Sequence, residues 1–397
     1  MIGLVLEGGG ARGAYEIGAA KAIYKEGYNI NGVTGTSIGA LNGAMIVQGD
    51  LEKAYDMWYN ICPSKIFDID EKQLEDIKKL DINIDNISYI INKAKTVLYN
   101  KGVDTKLIRE LLKDNINERK IRKSNKDFGV VTFSISDLKP LELFIEDIPR
   151  GKLVEYLMAS ANFPVFKREK SGKKLFVDGG IYNNLPLSML VSKGYKELIA
   201  IRAYGPGRYK KIDESQINVT YISPIEDLGG VLDFSTVSAR KNLQLGYYDA
   251  IKVIEGLKGR RYYVRTNEKE DFFLDYLLNI EKEKIEDLGN ILGFKGIAHK
   301  RMLLEYIVPK LCSILDIDEN MGYSDIVINI WELMAERIEV DRFRIYNAKD
   351  FLNIIKKSRF ENKRNNKLNI PEFIRKNDFF TKVAKDRIID EILSVLF

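Results

Sequence analysis

The sequence predicts an α/β protein with a mostly parallel central sheet, followed by a mainly helical C-terminal region. Three observations carry this. Residues 1–60 alternate apolar, strand-like runs with helix-period segments, the order in which right-handed crossovers join parallel strands. Further strand-type runs recur at 128-FGVVTFSIS-136, 141-LELFIE-146, 174-KLFVDGG-180 and 197-ELIAIRAY-204. Beyond Asn267 charged and apolar residues interleave at helical spacing.

Taken in order, the first strand is 2-IGLVL-6, interrupted by Glu7 and followed by glycines. A helix from Ala14 to Gly27 leads to a short strand around Val33, and after Ser37 a second helix runs toward Tyr59. Residues 66–125 are polar and helix-patterned, a helical insertion placed where a lid would sit. Their clearest amphipathic piece is 103-VDTKLIRELLKDNI-116, with Asp104 as its N-cap. The strands at 128–136 and 141–146 are joined by a loop containing Pro140. A helix near Leu153–Ala161 leads to Phe163-Pro164, and a turn and helix at Leu187–Lys193 precede the strand 197–204. From Asp213 to Arg265 the pattern is mixed. The expected domains are therefore 1–265 and 266–397, with 361-ENKRNNKLN-369 as an exposed loop.

The 397 residues suffice for two domains or one large α/β unit with additions. Lys and Arg number 62 against 57 Asp and Glu, a net charge of +5. The excess is concentrated: residues 342–387 hold 14 Lys/Arg and 5 Asp/Glu. Cys62 and Cys312 stand far apart in no metal-ligand spacing, which excludes a disulfide framework and fits a reducing compartment. No basic segment precedes 2-IGLVL-6, so it reads as a buried strand and not a signal peptide. No stretch approaches the ~20 apolar residues of a membrane span. The expectation is a cytoplasmic protein that meets lipid, if at all, from the surface.

Two glycine-rich stretches carry chemistry. In 7-EGGGARG-13, Gly8, Gly10 and Gly13 satisfy G-x-G-x-x-G after a strand and before a helix. The acidic residue expected at the end of the second strand of a dinucleotide site is missing from 28-YNINGVTG-35, and no Lys-Ser/Thr follows as in a phosphate loop. What remains is a set of backbone N–H groups converging before a helix, an anion site suited to a phosphate or a transient oxyanion. The alternative is a tight turn serving close packing. In 35-GTSIG-39, Gly35 and Gly39 flank Ser37 in the G-x-S-x-G pattern of a nucleophile elbow, where glycines relieve crowding at a strand-to-helix turn. Pattern alone leaves a structural serine open. The preceding strand and the small-residue helix 38-IGALNGA-44 favour the elbow.

An activated serine needs a base. The chain has one histidine, His299, in the helical region and far from Ser37 in sequence, where a packing or surface role is the simpler reading. A carboxylate or lysine must then serve. Asp178 in 176-FVDGG-180, at the carboxyl end of an apolar strand, is the strongest candidate, although Asp-Gly pairs also cap turns.

In combination, GGGARG (8–13), GTSIG (35–39), SANFPVF (160–166) and DGGIYNNLP (178–186) resemble the patatin-like phospholipases, lipid acyl hydrolases with a Ser–Asp dyad. The resemblance covers roughly residues 1–265, where 242-NLQLGYYDAI-251 is similar to a later stretch of such proteins. It implies a central sheet with helices on both faces. It also implies Ser37 as nucleophile, Asp178 as base, the amides of Gly8, Gly9, Gly10 and Gly13 as oxyanion donors, and Arg12 as a support of the loop. Phospholipid or another acyl ester is the implied substrate, and no metal or other cofactor is required. The acidic 316-DIDENMG-322 lacks the spacing of a calcium loop. The basic stretch 342–387, interleaved with Phe343, Phe351, Phe360, Phe373, Phe379 and Phe380, is a candidate for contact with an anionic membrane, against the simpler reading of a solvated helical face. Nucleic acid is not an expected partner, since no motif accompanies the charge. Two further readings stay open: an esterase or thioesterase for soluble acyl compounds, and a non-catalytic lipid-binding protein.

Overall fold

A strand without apolar–polar alternation needs cover on both faces, and β1 (Ile2–Leu6) has it, with Leu4, Val5 and Leu6 fully buried. The computed structural model describes residues 1–67, 105–162, 170–171, 174–318, 321–357 and 382–397. They form two compact units, Met1–Glu255 and Gly256–Phe397.

In the first unit β1 lies between β2 (Ile30–Thr36) and β7 (Glu197–Ile201), and all three are parallel. β3 (Asp127–Ser134) extends the parallel run beside β2, and β8 (Asn218–Ile222) extends it beside β7. Two strands run against it. β4 (Lys139–Phe144) and β6 (Lys174–Asp178) are both antiparallel to β3, and the two-residue β5 (Lys170–Ser171) pairs with β6. The sheet is thus mixed and mostly parallel.

Helices cover both faces, as side-chain alternation along the strands requires. On one face Val5, Leu198 and Ala200 pack with Leu187 and Leu190. On the other, Gly43 sits against Val33, Phe128 and Leu6. Gly43 belongs to α2 (Ile38–Val47), which follows α1 (Gly13–Lys25) in the chain. α3 (Leu51–Tyr59), α4 (Lys106–Asn115), α5 (Glu118–Lys123), α6 (Leu153–Ser160), α7 (Leu187–Ser192) and α8 (Thr236–Glu255) complete the unit. α8 is tied to α1 by the Tyr15 hydroxyl, which donates to Asp249 at 3.0 Å.

Several sequence expectations are corrected. The helix expected from Ser37 to Tyr59 is two helices, because Gly49 takes a left-handed φ of 85° and ends α2. Pro140 lies inside β4, not in a loop; β4 pairs with β3 alone, and an edge strand tolerates a residue without an N–H. The run 197–204 leaves the sheet at Ile201. α4 begins at Lys106 with Thr105 at its cap. Asp104, Phe163-Pro164, the tract 361–369 and residues 68–104 of the expected insertion lie outside the described residues.

The Gly256–Phe397 unit is built of helices around Phe273, Ile307, Trp331, Phe351 and Leu393. It also holds a parallel ribbon, Tyr263–Arg265 with Ile345–Asn347, that its helical pattern hides. Glu332 anchors the ribbon's approach by accepting the amides of Arg260, Arg261 and Tyr262.

At the junction of β2 and α2 the chain folds back so tightly that a Cβ on Gly35 would lie 2.4 Å from the Gly39 carbonyl carbon. Gly35→Ala is therefore expected to lower stability by about 1–3 kcal/mol through overpacking against backbone, measured by urea unfolding of the full chain.

Candidate active site

Ser37 joins β2 to α2 with φ 54° and ψ −126°, a conformation that a side-chain-bearing residue seldom adopts. A serine at a helix N-cap ordinarily accepts a bond from the first turn of its own helix. Ser37 makes no such bond. Its Oγ instead donates to Asp178 Oδ2 at 2.6 Å, the short range of a charge-assisted contact.

The sheet explains how residues 141 positions apart meet. β4 occupies one edge of β3 along residues 129–134. β2 and β6 must therefore share the other edge, β2 opposite residues 127–131 and β6 opposite residues 132–134. They run in opposite directions and end against each other: Thr36 pairs with Val131, and Asp178 with Thr132. The two carboxyl ends abut. The strand that carries Asp178 is antiparallel to β3, unlike the parallel strand that carries Ser37.

The two carboxylate oxygens of Asp178 have separate partners. Oδ1 caps the turn Gly179–Ile181 by accepting the Gly180 amide at 2.8 Å, while Oδ2 faces Ser37. Burial raises its pKa from the ordinary 3.8 to about 6, against the opposing effect of the Ser37 and Gly180 hydrogen bonds. The block 160–162 braces both residues. The Ser37 amide donates to Ser160 Oγ at 2.9 Å, and the Asp178 amide to the Asn162 carbonyl at 3.0 Å.

The glycine loop lies beside this pair. Gly10 has φ 57°, and a Cβ there would stand 2.1 Å from the Val231 carbonyl oxygen. Of the four amides expected to face an oxyanion, two are engaged elsewhere: Gly8 N–H donates to the Asn184 carbonyl and Gly13 N–H to the Gly10 carbonyl. Among the described residues no acceptor is found for the amides of Gly9 and Gly10. Both residues line the cavity that contains Ser37 and Asp178. Arg12 holds the loop from behind, donating to the carbonyls of Gly229, Ala203 and Tyr204.

Three residues of this frame escaped the sequence reading. Asn184 donates from Nδ2 to the carbonyls of Gly8 and Gly205. Glu7, fully buried, accepts the amides of Ala203 and Tyr204, the Tyr209 hydroxyl and the Arg202 guanidinium. Ser160 has no exposed surface. Ser160 and Asn184 stand inside quoted blocks, and Glu7 was visible as the charge that interrupts the first apolar run.

The cavity measures about 1130 Å³, its open mouth included. Its walls are apolar, with Leu41 and Met45 from α2, Trp58 from α3, Leu111 from α4, and Phe234 before α8. At one side a buried polar knot joins three helices: Asn42 donates to the Gly13 carbonyl and to Glu16, and accepts from the Trp58 indole at 3.0 Å. This explains Asn42 in a helix that its side chain weakens. Burial holds the Glu16 carboxyl well above the usual range.

The other candidates belong to the Gly256–Phe397 unit. His299 is hydrogen-bonded through Nε2 to Glu286 Oε1 at 2.6 Å, within the helical unit. Among the described residues no cluster of three or more His, Cys, Asp or Glu side chains could hold a metal ion. Of the basic stretch 342–387, Phe351 is a core residue, and Lys349 and Lys385 pair with Glu268 and Asp316. Phe360, Phe373, Phe379 and Phe380 lie outside the described residues. No described helix is long and apolar enough to cross a membrane.

The first unit thus holds a serine at a strand-to-helix turn, hydrogen-bonded to a buried aspartate beside a glycine loop. Residues 4–191 match the family model described as Patatin-like phospholipase. The chain is 30% identical over 205 residues to patatin-like phospholipase domain-containing protein 7 of Rattus norvegicus, a match covering 50% of this chain and 13% of the rat protein. It is 26% identical over 306 residues to neuropathy target esterase sws of Drosophila melanogaster, covering 66% of this chain and 19% of the fly protein. The matches thus span less than a fifth of either relative's length. A crystal structure of VipD from Legionella pneumophila aligns over 99% of this chain and 90% of its own at 14% identity, with a TM-score of 0.41, too loose a likeness to carry an argument.

The raised pKa makes a stability prediction. A carboxyl whose folded pKa lies above its ordinary value stabilises the fold fully below that ordinary value, and the contribution is lost as pH rises through about 6. Asp178→Asn removes the buried charge. It should be more stable than the wild type at pH 7–8 by about 2–3 kcal/mol, with the difference closing toward pH 4. Denaturant unfolding across that range measures it.

Proposed function

We propose that this protein is a lipid acyl hydrolase that cleaves fatty-acyl esters of phospholipids through Ser37 and Asp178. The observation that most supports this reading is the 2.6 Å hydrogen bond from Ser37 Oγ to a buried Asp178 at the head of an apolar cavity. The match of residues 4–191 to the patatin-like phospholipase model supports the class of chemistry.

In the proposed reaction the acyl chain lies along the apolar walls and its carbonyl carbon rests over Ser37. Oγ attacks as its proton passes to Asp178 Oδ2. The carbonyl oxygen becomes an oxyanion and accepts hydrogen bonds from Gly9 and Gly10, each effective donor lowering the barrier by about 3–4 kcal/mol. The N-terminal dipole of α2 adds favourable potential at the same place. Collapse of the intermediate expels the alcohol, which takes the proton from Oδ2, and leaves Ser37 acylated. Asp178 then accepts a proton from water, whose oxygen attacks the acyl carbon. Collapse of the second intermediate expels Ser37 Oγ, which recovers the proton, and frees the fatty acid.

A base must be ionised to act, so kcat/KM should fall as pH drops through about 6. Fatty-acid release from mixed phospholipid vesicles in EDTA tests the assignment. Ser37→Ala and Asp178→Asn should each lose about 10³-fold or more in kcat, while His299→Ala retains wild-type rates. Release by Ser37→Ala at the wild-type rate would overturn the dyad. Activity confined to monomeric, water-soluble esters would favour an esterase for soluble acyl compounds, and no ester cleavage at all would favour a lipid-binding protein.

A further inference from the structure

In the first unit the large apolar side chains left in water are concentrated on one edge. Leu138 is 79% exposed, Val237 80%, Ile225 52% and Tyr204 49%. Elsewhere among the described residues of this unit, the terminal Met1 aside, no large apolar residue exceeds 42%. Single exposed apolar residues are ordinary and need no explanation. Their placement here does.

β1, β2, β3, β7 and β8 are parallel, so their carboxyl ends share one edge of the sheet. That edge carries the glycine loop and Ser37. Tyr204 follows the end of β7, Ile225 follows the end of β8, and Leu138 lies in the turn between β3 and β4. Val237 opens α8 just after Phe234, which lines the cavity. The four residues therefore belong to the edge that carries Ser37 and the glycine loop, Leu138 on the β3 side and Ile225 on the β8 side. Two of them are held out against a local preference: Leu138 has φ 51° and Tyr204 φ 47°, a region that bulky residues avoid. A glycine would relieve the strain at either place.

The occupant of such an edge follows from its texture. The apolar points sit on four separate segments, not in one continuous patch, and the neighbouring exposed charges are mixed, with Lys139, Arg208 and Lys211 beside Asp137, Asp213 and Asp227. A folded protein partner needs a continuous complementary surface. A fluid lipid surface accepts separate apolar points of unequal height without charge complementarity. It is also the phase from which an acyl chain would enter the cavity.

We infer that the carboxyl edge of the sheet, with Leu138, Tyr204, Ile225 and Val237 as contact points, docks the protein on a lipid–water interface with the cavity mouth opening into the lipid. The inference rests on the reading of the cavity as an acyl-ester site, but its central claim concerns binding and is measured without turnover.

The test is flotation of the full chain with phosphatidylcholine vesicles, at low salt and in about 0.5 M NaCl, where charge effects reach only a few ångströms. Wild type should float equally in both. Leu138→Asp, Ile225→Asp and Val237→Asp should each weaken partitioning about tenfold or more. Val253→Asp, at the opposite end of α8, should not. Hydrolysis of a monomeric short-chain ester should be unchanged in all four and reports an intact fold. Leu138→Gly provides an independent variant: it should melt no lower than wild type, because the positive φ is relieved, and still lose vesicle binding. Wild type that fails to float, rim variants that float like wild type, an equal loss in Val253→Asp, or binding abolished by salt would each overturn the inference. If wild type floats, the rim variants do not and no ester is cleaved, the docking edge stands and the hydrolase reading falls.

Discussion

Two strands that end against each other on one edge of β3 set the geometry of the site. β2 delivers Ser37 and β6 delivers Asp178, and because the strands run in opposite directions their carboxyl ends meet instead of passing. The glycines of the elbow follow from the same constraint. If Ser37 is to stand at the junction, α2 must leave at once, and Gly35 and Gly39 pass so closely that a side chain on either would strike backbone. The polar braces follow as well: Ser160 and Asn162 bind the backbone of the two residues, and Asn183 accepts the Thr36 hydroxyl at 2.7 Å.

This junction is held at the expense of stability. Ser37 stands at positive φ, Asp178 keeps a carboxylate out of water, and Asn162 and Asn183 each retain a buried side-chain oxygen without a partner among the described residues. Strain and buried charge of this kind persist where the surroundings over-determine them, and they gather at functional sites. The apolar sheet packing supplies the compensation. Leu4, Leu6, Val33 and Phe128 are all fully buried around the strands that carry the site.

Much of this was legible in the sequence, for reasons that differ by residue. Ser37 and Gly35 were visible because the elbow imposes a local rule on five consecutive positions. Asp178 was visible by elimination, since a lone histidine left few bases, and by its Asp-Gly-Gly setting. The direction of β6 was not legible. A strand's residues record burial and alternation but not the sense of its partner, and β6 pairs with a strand forty positions earlier. The fate of each glycine amide was hidden for a similar reason, because the carbonyl that occupies Gly8 belongs to Asn184. The break at Gly49 was available locally, yet the helical pattern on both sides concealed it. The ribbon at 263–265 and 345–347 is too short to leave a periodic signal.

The bond from Gly180 to Asp178 has a consequence for the proposed chemistry. A histidine base has two ring nitrogens and can tilt between the serine and the leaving group. Asp178 cannot. Oδ1 is fixed by the Gly180 amide, and its short side chain is clamped by its own turn, so Oδ2 alone faces the reacting atoms. In the proposed cycle the proton from Ser37, the proton given to the leaving alcohol and the proton taken from water all pass through that single oxygen. The alcohol must then depart, and the water arrive, on the side of the cavity that Oδ2 faces. A carboxyl raised to about 6 suits this duty, because it remains ionised at neutral pH yet holds a proton more readily than an ordinary aspartate would. A dyad of this kind substitutes fixed position for a mobile base, and the braces around Ser37 and Asp178 are the structural form which that substitution takes.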